Sequence, residues 1–278
     1  MNVVARAGSC ETGPMRLTKH HGLGNDFLVV LEAENPRLRR IDGRLARRVC
    51  DRATGVGADG LIHGAASDDD TDVRMHLYNA DGSRAEISGN GLRCLAQALV
   101  FSRGQAEGSC TIATDAGIRS AEVIRATGRH SSAVTVEMGV AGDGPDVPLD
   151  VERRAPGAFA TVDLGNPHLV LVVDDVDDID LAQAGPAFEA PFGGINVEFI
   201  APVDRRALRM RVWERGVGIT QACGSGACAA AHAAHEWGLV GTDVTVHMPG
   251  GDAKVELGDI VRLTGPAVHV ATLEYFGG

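Results

Sequence analysis

Two short segments of this chain combine small residues, a nucleophile and the opening of an apolar helical pattern. Residues 88–91 read Ser-Gly-Asn-Gly and residues 223–226 read Cys-Gly-Ser-Gly. Each runs into a stretch without proline, LRCLAQALVF or ACAAAHAAHEW, whose composition favours helix. Glycines at such a start let backbone N–H groups approach a ligand closely. The free donors and the positive end of the macrodipole bind carboxylate or phosphate. The same field lowers the pKa of a cysteine, so Cys223 is expected to favour its thiolate. Ser88 stands at the matching point with a hydroxyl. That group is a far weaker acid than a thiol, and as a base it needs help from a neighbour. Cys94 and Cys228 fall within the helices and read as packing residues.

The elements that must position these segments occur twice. Residues 73–98, VRMHLYNADGSRAEISGNGLRCLAQA, lie over residues 208–233, LRMRVWERGVGITQACGSGACAAAHA, without a gap. Arg74/Arg209, Met75/Met210, Gly89/Gly224, Gly91/Gly226, Ala96/Ala231 and Ala98/Ala233 are identical, and Ser88 faces Cys223. A second pair precedes it in the same order: LGNDFLVVL (23–31) and LGNPHLVLV (164–172). RMHLYN and RMRVWE alternate and are rich in strand formers, so each half runs strand, loop, glycine-rich turn, helix. Further strands are expected over 112–124, 133–138, 159–163, 196–201, 243–247, 253–257 and 260–263, with a surface helix over the Arg-rich 42–52 and a loop over 141–148. The expected class is α+β: two similar strand-rich domains with one prominent helix each, their equivalent loops facing across a cleft.

Composition removes other classes. The 278 residues favour two domains, and 44% hydrophobic with 23% charged residues is ordinary for globular chains. A formal net charge of -11 repels nucleic acid. Only Lys19 and Lys254 could form a Schiff base with pyridoxal phosphate, and neither sits in a promising loop. Six cysteines without a CxxC pair fit neither a disulfide scaffold nor a zinc site. No apolar run spans a membrane, and Met1–Pro14 lacks the apolar core of a signal peptide. Residues 1–14 are expected to be a disordered tail, and the protein cytoplasmic. Gly55, Gly57 and Gly60 match GxGxxG, but a helix end precedes and a strand follows, the reverse of a dinucleotide site. His232 and His235 lack a third metal ligand, and the acidic runs 67–72 and 174–180 read as solvated loops.

Six separated motifs, HGLGNDF (21–27), YNADGS (78–83), GNGLRC (89–94), LGNPH (164–168), VWERGVG (212–218) and ACGSGACA (222–229), together resemble the diaminopimelate epimerase family. The resemblance runs from about Met15 to the GPAVHV segment at 265–270. It implies two pseudo-symmetric domains, each a strand-rich barrel around a central helix, with the active site between them and a fold like that of proline racemase. The expected division is 15–125 with 266–278 as one domain and 126–265 as the other. No cofactor and no metal are implied, the partner is a small amino-acid substrate, and a homodimer is the expected assembly. The implied activity is interconversion of LL- and meso-diaminopimelate, serving lysine and peptidoglycan precursor synthesis. Inverting a Cα centre needs one acid/base group on each face, which a duplicated fold supplies.

Residue by residue, Cys223 matches one catalytic cysteine, and His168 and Glu214 match polar residues that assist it. Asn25, Asn79, Asn166 and Asn196 match substrate-binding asparagines, although turn chemistry alone also accounts for asparagine at such places. Gly89-Asn90 and Gly224-Ser225 match the turns that hold the α-carboxylate, and Glu214-Arg215 a pair that contacts substrate. The chain departs from the family at three points. Ser88 replaces the second catalytic cysteine, Ile219 stands where a glutamate is usual, and Gly60 replaces a polar residue that some members use. Three accounts of Ser88 stay open: chemistry adapted to one thiol and one hydroxyl, an engineered block, or a paralogue acting as racemase or dehydratase on another amino acid. A non-catalytic amino-acid-binding protein is the alternative outside the enzymes. Ile87 and Ile219 also differ from the common family residues, which favours natural divergence.

Overall fold

The structure is a computed structural model that describes residues 13–37, 40–68, 70–128 and 130–277. The expected tail, 1–14, lies outside them except for Gly13 and Pro14. The first half runs β1 (Met15–Gly22), β2 (Asn25–Leu31), α1 (Gly43–Cys50), β3 (Gly60–Ala65), β4 (Val73–Asn79), β5 (Arg84–Ala85), α2 (Gly89–Ser102), β6 (Gly108–Thr114), β7 (Gly117–Gly128) and β8 (Ser131–Gly139). The second runs β9 (Gly142–Asp143), α3 (Leu149–Arg154), β10 (Phe159–Asp163), β11 (Pro167–Val172), α4 (Leu181–Glu189), β12 (Asn196–Asp204), β13 (Ala207–Glu214), β14 (Gly218–Thr220), α5 (Gly224–Glu236), β15 (Asp243–Met248), β16 (Gly251–Glu256) and β17 (Val261–Tyr275).

The pairing pattern repeats with the sequence. β1–β2 is antiparallel, β2–β3 parallel, β3–β4 antiparallel, β4–β6 parallel, and β6–β7 and β7–β8 antiparallel. From β10 onward, β11, β12, β13, β15, β16 and β17 follow the same series of orientations. Each ring is closed by a strand of the other half. β17 joins β8 to β1, which completes an eight-stranded barrel, and β9 extends the path of β8 onto β10. Closure removes free sheet edges. The expected division at 265/266 cuts β17 between the residues paired with β16 and those paired with β1, and that at 125/126 falls within β7.

Alternation in the strands explains the interior. In β8 every second residue is buried, and Val134, Val136 and Met138 turn inward with Met75, Ile112 and Val123 around Leu92, Leu95 and Val100 of α2. The second barrel encloses α5, whose inward side chains are alanines and Cys228. Short α1 covers the outside of the first barrel over Leu28, Val30 and Leu61, and α3 and α4 cover the second over Leu169, Leu171 and Phe199. The sequence pattern had not marked α3 and α4, which are short; α4 even contains Pro186. The single strand expected over 112–124 is two antiparallel strands around a turn at Asp115-Ala116, where Gly117 adopts a left-handed φ of 101°.

Candidate active site

Both LGN segments turn through a left-handed glycine, although Leu23 also has a positive φ of 56° and Leu164 does not. Gly24 and Gly165 have φ of 84° and 90°, a region that side chains rarely adopt, and each turn delivers the next asparagine, Asn25 or Asn166, to one cleft. The two glycine-rich segments do what their spacing required. Ser88 is the N-cap of α2, and its Oγ accepts from Gly91 N at 3.1 Å. Cys223 is the N-cap of α5, and its Sγ accepts from Gly226 N at 3.3 Å. The two helices meet backbone to backbone. A Cβ on Gly89 would lie 3.0 Å from Gly224 Cα, and one on Gly224 would lie 2.9 Å from Gly89 Cα. Asn90 Nδ2 ties the junction by donating to Ala222 O (2.9 Å) and Asn25 Oδ1 (3.1 Å). Two macrodipoles thus converge on one place, the arrangement suited to an anion.

Beside this junction lies a cleft of about 310 Å³. Asn25, Asn79, Asn166, Asn196, Ser88, Glu214 and Arg215 all line it, together with Asp59 and Glu86. Cys223, His168, Asn90, Ser225, Gly89 and Gly224 lie one layer behind, all buried. Several asparagine amides are already engaged. Asn25 Nδ2 donates to Asp59 Oδ2 (2.9 Å), Asn79 Nδ2 to Ser83 Oγ (3.0 Å), and Asn196 Nδ2 to Pro167 O (3.0 Å) while its Oδ1 accepts from Arg215 N (3.0 Å). A larger hollow, about 510 Å³, lies at the outer rim of the first barrel near Arg16, Glu34 and Phe276 and contains none of the expected residues.

Electrostatics correct one expectation. The helix terminus does donate to Cys223, but burial, with Glu214 and Glu198 beside it, pushes the thiol well above its ordinary range. The resting group is therefore a neutral thiol: desolvation outweighs the helix field. Burial likewise pushes Cys94 and Cys228 up to about 12. Glu214, one of the two carboxyls that act on the thiol, is itself shifted. Burial of its carboxyl raises it to about 7 against the Thr220 hydroxyl bond, with Glu198 adding to the rise and His168 opposing it. A carboxyl poised near neutrality is the form of base a thiol can use.

The departures have local explanations. Glu86, two residues before Ser88 in sequence, turns instead to Arg215 across the cleft (2.7 Å). Ile219, 49% exposed on β14, sits opposite Trp213 at the rim. Gly60 has no room for a side chain, since a Cβ there would lie 2.9 Å from Tyr78 O and 3.2 Å from the Phe27 ring. Sequence reasoning missed Glu198, which is fully buried in β12 with Oε1 2.7 Å from His168 Nδ1. A signal was there: one acidic residue inside the apolar run INVEFIA. Among the described residues, no group of three or more His, Cys, Asp and Glu side chains is placed to hold a metal ion. No helix among them is long and apolar enough to cross a membrane.

The family model for diaminopimelate epimerase matches residues 17–142 and 160–270. The diaminopimelate epimerase of Nostoc punctiforme is 39% identical over 281 residues, covering 93% of this chain and 98% of its own. That of Moorella thermoacetica is 42% identical over 279 residues, covering 92% and 97%. Among solved structures, a hydroxyproline epimerase from Agrobacterium vitis with bound trans-4-hydroxy-L-proline superposes with a TM-score of 0.71 at 16% identity, covering 94% of this chain and 92% of the other. At that identity the likeness speaks for the fold.

Proposed function

The chain belongs to the diaminopimelate epimerase family and is an amino-acid epimerase, an isomerase; from that premise we propose that it interconverts LL- and meso-diaminopimelate by proton transfer at Cα without a cofactor. The observation that carries this reading is the convergence of the Ser88 and Cys223 N-caps at helix termini in backbone contact. The α-carboxylate sits at that junction, held by the turns Gly89-Asn90 and Gly224-Ser225, where the macrodipoles offset charge building up on the carbanion. Asn25, Asn79, Asn166, Asn196 and Arg215 hold the rest of the substrate. Glu214 takes the Cys223 proton, the thiolate removes the α-proton from one face, and Ser88 gives its proton to the other, the proton on Glu214 then returning through solvent to the serine oxygen, with His168 holding the thiol side in place. A hydroxyl can protonate a carbanion, which is a stronger base than an alkoxide. The reverse abstraction is the harder task and limits the rate. The protein acts in the cytoplasm as a homodimer of chains divided at 125/126 and 265/266, supplying lysine and peptidoglycan precursors.

Ser88 also favours a second reading, a paralogue that racemises or dehydrates another amino acid. Incubation with LL-diaminopimelate in deuterated water separates the two. Exchange with inversion supports the first. Absence of both, with exchange or elimination on another amino acid, replaces it by the second.

A further inference from the structure

The duplication allows each residue to be compared with its counterpart, and one pair differs in kind. Phe27 on β2 lies opposite Gly60 on β3, as His168 on β11 lies opposite Asn196 on β12. Two residues along, Ile62 corresponds to Glu198. Each faces the third residue of its glycine-rich turn. A Cβ on Gly91 would lie 3.3 Å from Ile62 Cδ1, and one on Gly226 would lie 2.5 Å from Glu198 Oε1. The fold is thus satisfied by an apolar Phe/Ile pair in one half and carries a buried His/Glu pair at the same place in the other. A buried ion pair stabilises a fold no better than a well-packed apolar pair, so folding alone does not account for it.

We infer that Glu198 is a positioning residue for the epimerisation site, fixing the His168 ring at Nδ1 so that Nε2–H orients Asn166 and, through it, Ser225 beside Cys223.

The proton inventory carries the argument. His168 Nδ1 faces Glu198 Oε1 at 2.7 Å, and Nε2 faces Asn166 Oδ1 at 3.0 Å. The amide oxygen holds no proton, so Nε2 must donate. Glu198 Oε1 closes the other side of the ring at Nδ1, and that contact fixes the ring whichever partner carries the proton. Asn166, with its oxygen committed to the ring, turns Nδ2 to Ser225 Oγ (3.3 Å), which reaches Cys223 Sγ (3.6 Å). Glu198 Oε2 is buried without a partner, so the ring is what holds this carboxylate. The titratable groups around the pair are Cys223 and Glu214. No proton is gained or lost over the cycle at Glu198.

This inference rests on the epimerase reading, and the test separates the two. Glu198→Leu removes the bond while keeping the volume. It should lower kcat by on the order of a hundredfold, the cost of a misplaced site, with KM little changed. Glu198→Gln can still donate its amide to Nδ1 and keep Nε2–H on Asn166. It should recover about tenfold of the loss. Imidazole nitrogen-15 resonances of His168 should show Nε2 protonated in the native protein and in Glu198→Gln, and a mixture of tautomers in Glu198→Leu. The inference is overturned if Glu198→Leu, folded by its melting curve, turns over like the native protein, or if native Nε2 carries no proton. If the native protein fails to exchange or invert diaminopimelate, the functional reading falls, while the resonances still decide the state of His168.

Discussion

Glu214→Gln should uncover a pH dependence that the native protein conceals. In the native state the Glu214 carboxyl rises from 4.5 to about 7, chiefly through burial. The folded protein therefore keeps a proton that the unfolded chain releases between those values. Its contribution is fully present below pH 4.5 and is lost as pH rises through 7. The size is about 3 kcal/mol. His20 acts in the opposite sense. It is buried in the first barrel with Nδ1 2.8 Å from Gln97 Oε1, and burial lowers it from 6.5 to about 4, with His269 and His21 adding to the effect. The unfolded chain binds that proton below 6.5 and the native state does not, so about 3 kcal/mol is lost as pH falls through the same window. The two nearly cancel between pH 4.5 and 6.5. In Glu214→Gln the His20 effect is no longer opposed, so stability should climb by about 2 kcal/mol or more over that range, with His63, His76 and His269, also lowered chiefly by burial, adding in the same sense. By pH 7.5 the variant should exceed the native protein by a similar amount, having shed a buried charge. Urea unfolding of both proteins at pH 4.5, 5.5, 6.5 and 7.5 measures this. A native-minus-variant difference that stays constant across the four pH values would refute the assignment of a raised Glu214.

Ser88→Cys should keep the N-cap, as Cys223 does in the other half, and raise the epimerase rate about tenfold or more. Ser88→Ala should lower kcat/KM by one factor in both directions, since the equilibrium constant is fixed, and cost about 1 kcal/mol of stability from the lost cap. It should also wash solvent deuterium into the starting isomer without inversion; unchanged turnover and label would make Ser88 only a cap. An alkylating substrate analogue should label Cys223 before any other cysteine, and faster as pH rises, because the resting thiol is neutral. Peptide mapping that finds Cys94 or Cys50 modified first would contradict this. Glu86→Gln frees Arg215 from a pair whose side chains are 34% and 48% exposed, so stability should change by less than about 1 kcal/mol. KM for a substrate with two carboxylates should fall two- to fivefold at unchanged kcat, as expected from releasing an exposed pair of roughly that worth; a raised KM would show that Glu86 itself holds substrate.

Local patterns were enough for much of this molecule. The duplication, the helices opening at Gly89 and Gly224, the Ser88 and Cys223 caps and the LGN turns all follow from chemistry within a few residues: glycine's access to positive φ, side-chain capping and strand alternation. The six motifs that resemble the family lie on those same turns. What local pattern could not decide was anything set by the sum of distant groups. The exchange of β8 and β17 between barrels joins strands more than a hundred residues apart. The protonation of Cys223 reverses the helix-terminus expectation, because burial and two carboxylates from β12 and β13 act on it together. Glu86 pairs with Arg215, 129 positions away, rather than with Ser88 two positions on. The His168–Glu198 pair is likewise invisible until β11 and β12 are laid side by side. Helix opening and turn geometry are short-range properties of a sequence. Desolvation and Coulomb interaction depend on what the folded chain brings within a few ångströms, and only the tertiary structure sets that.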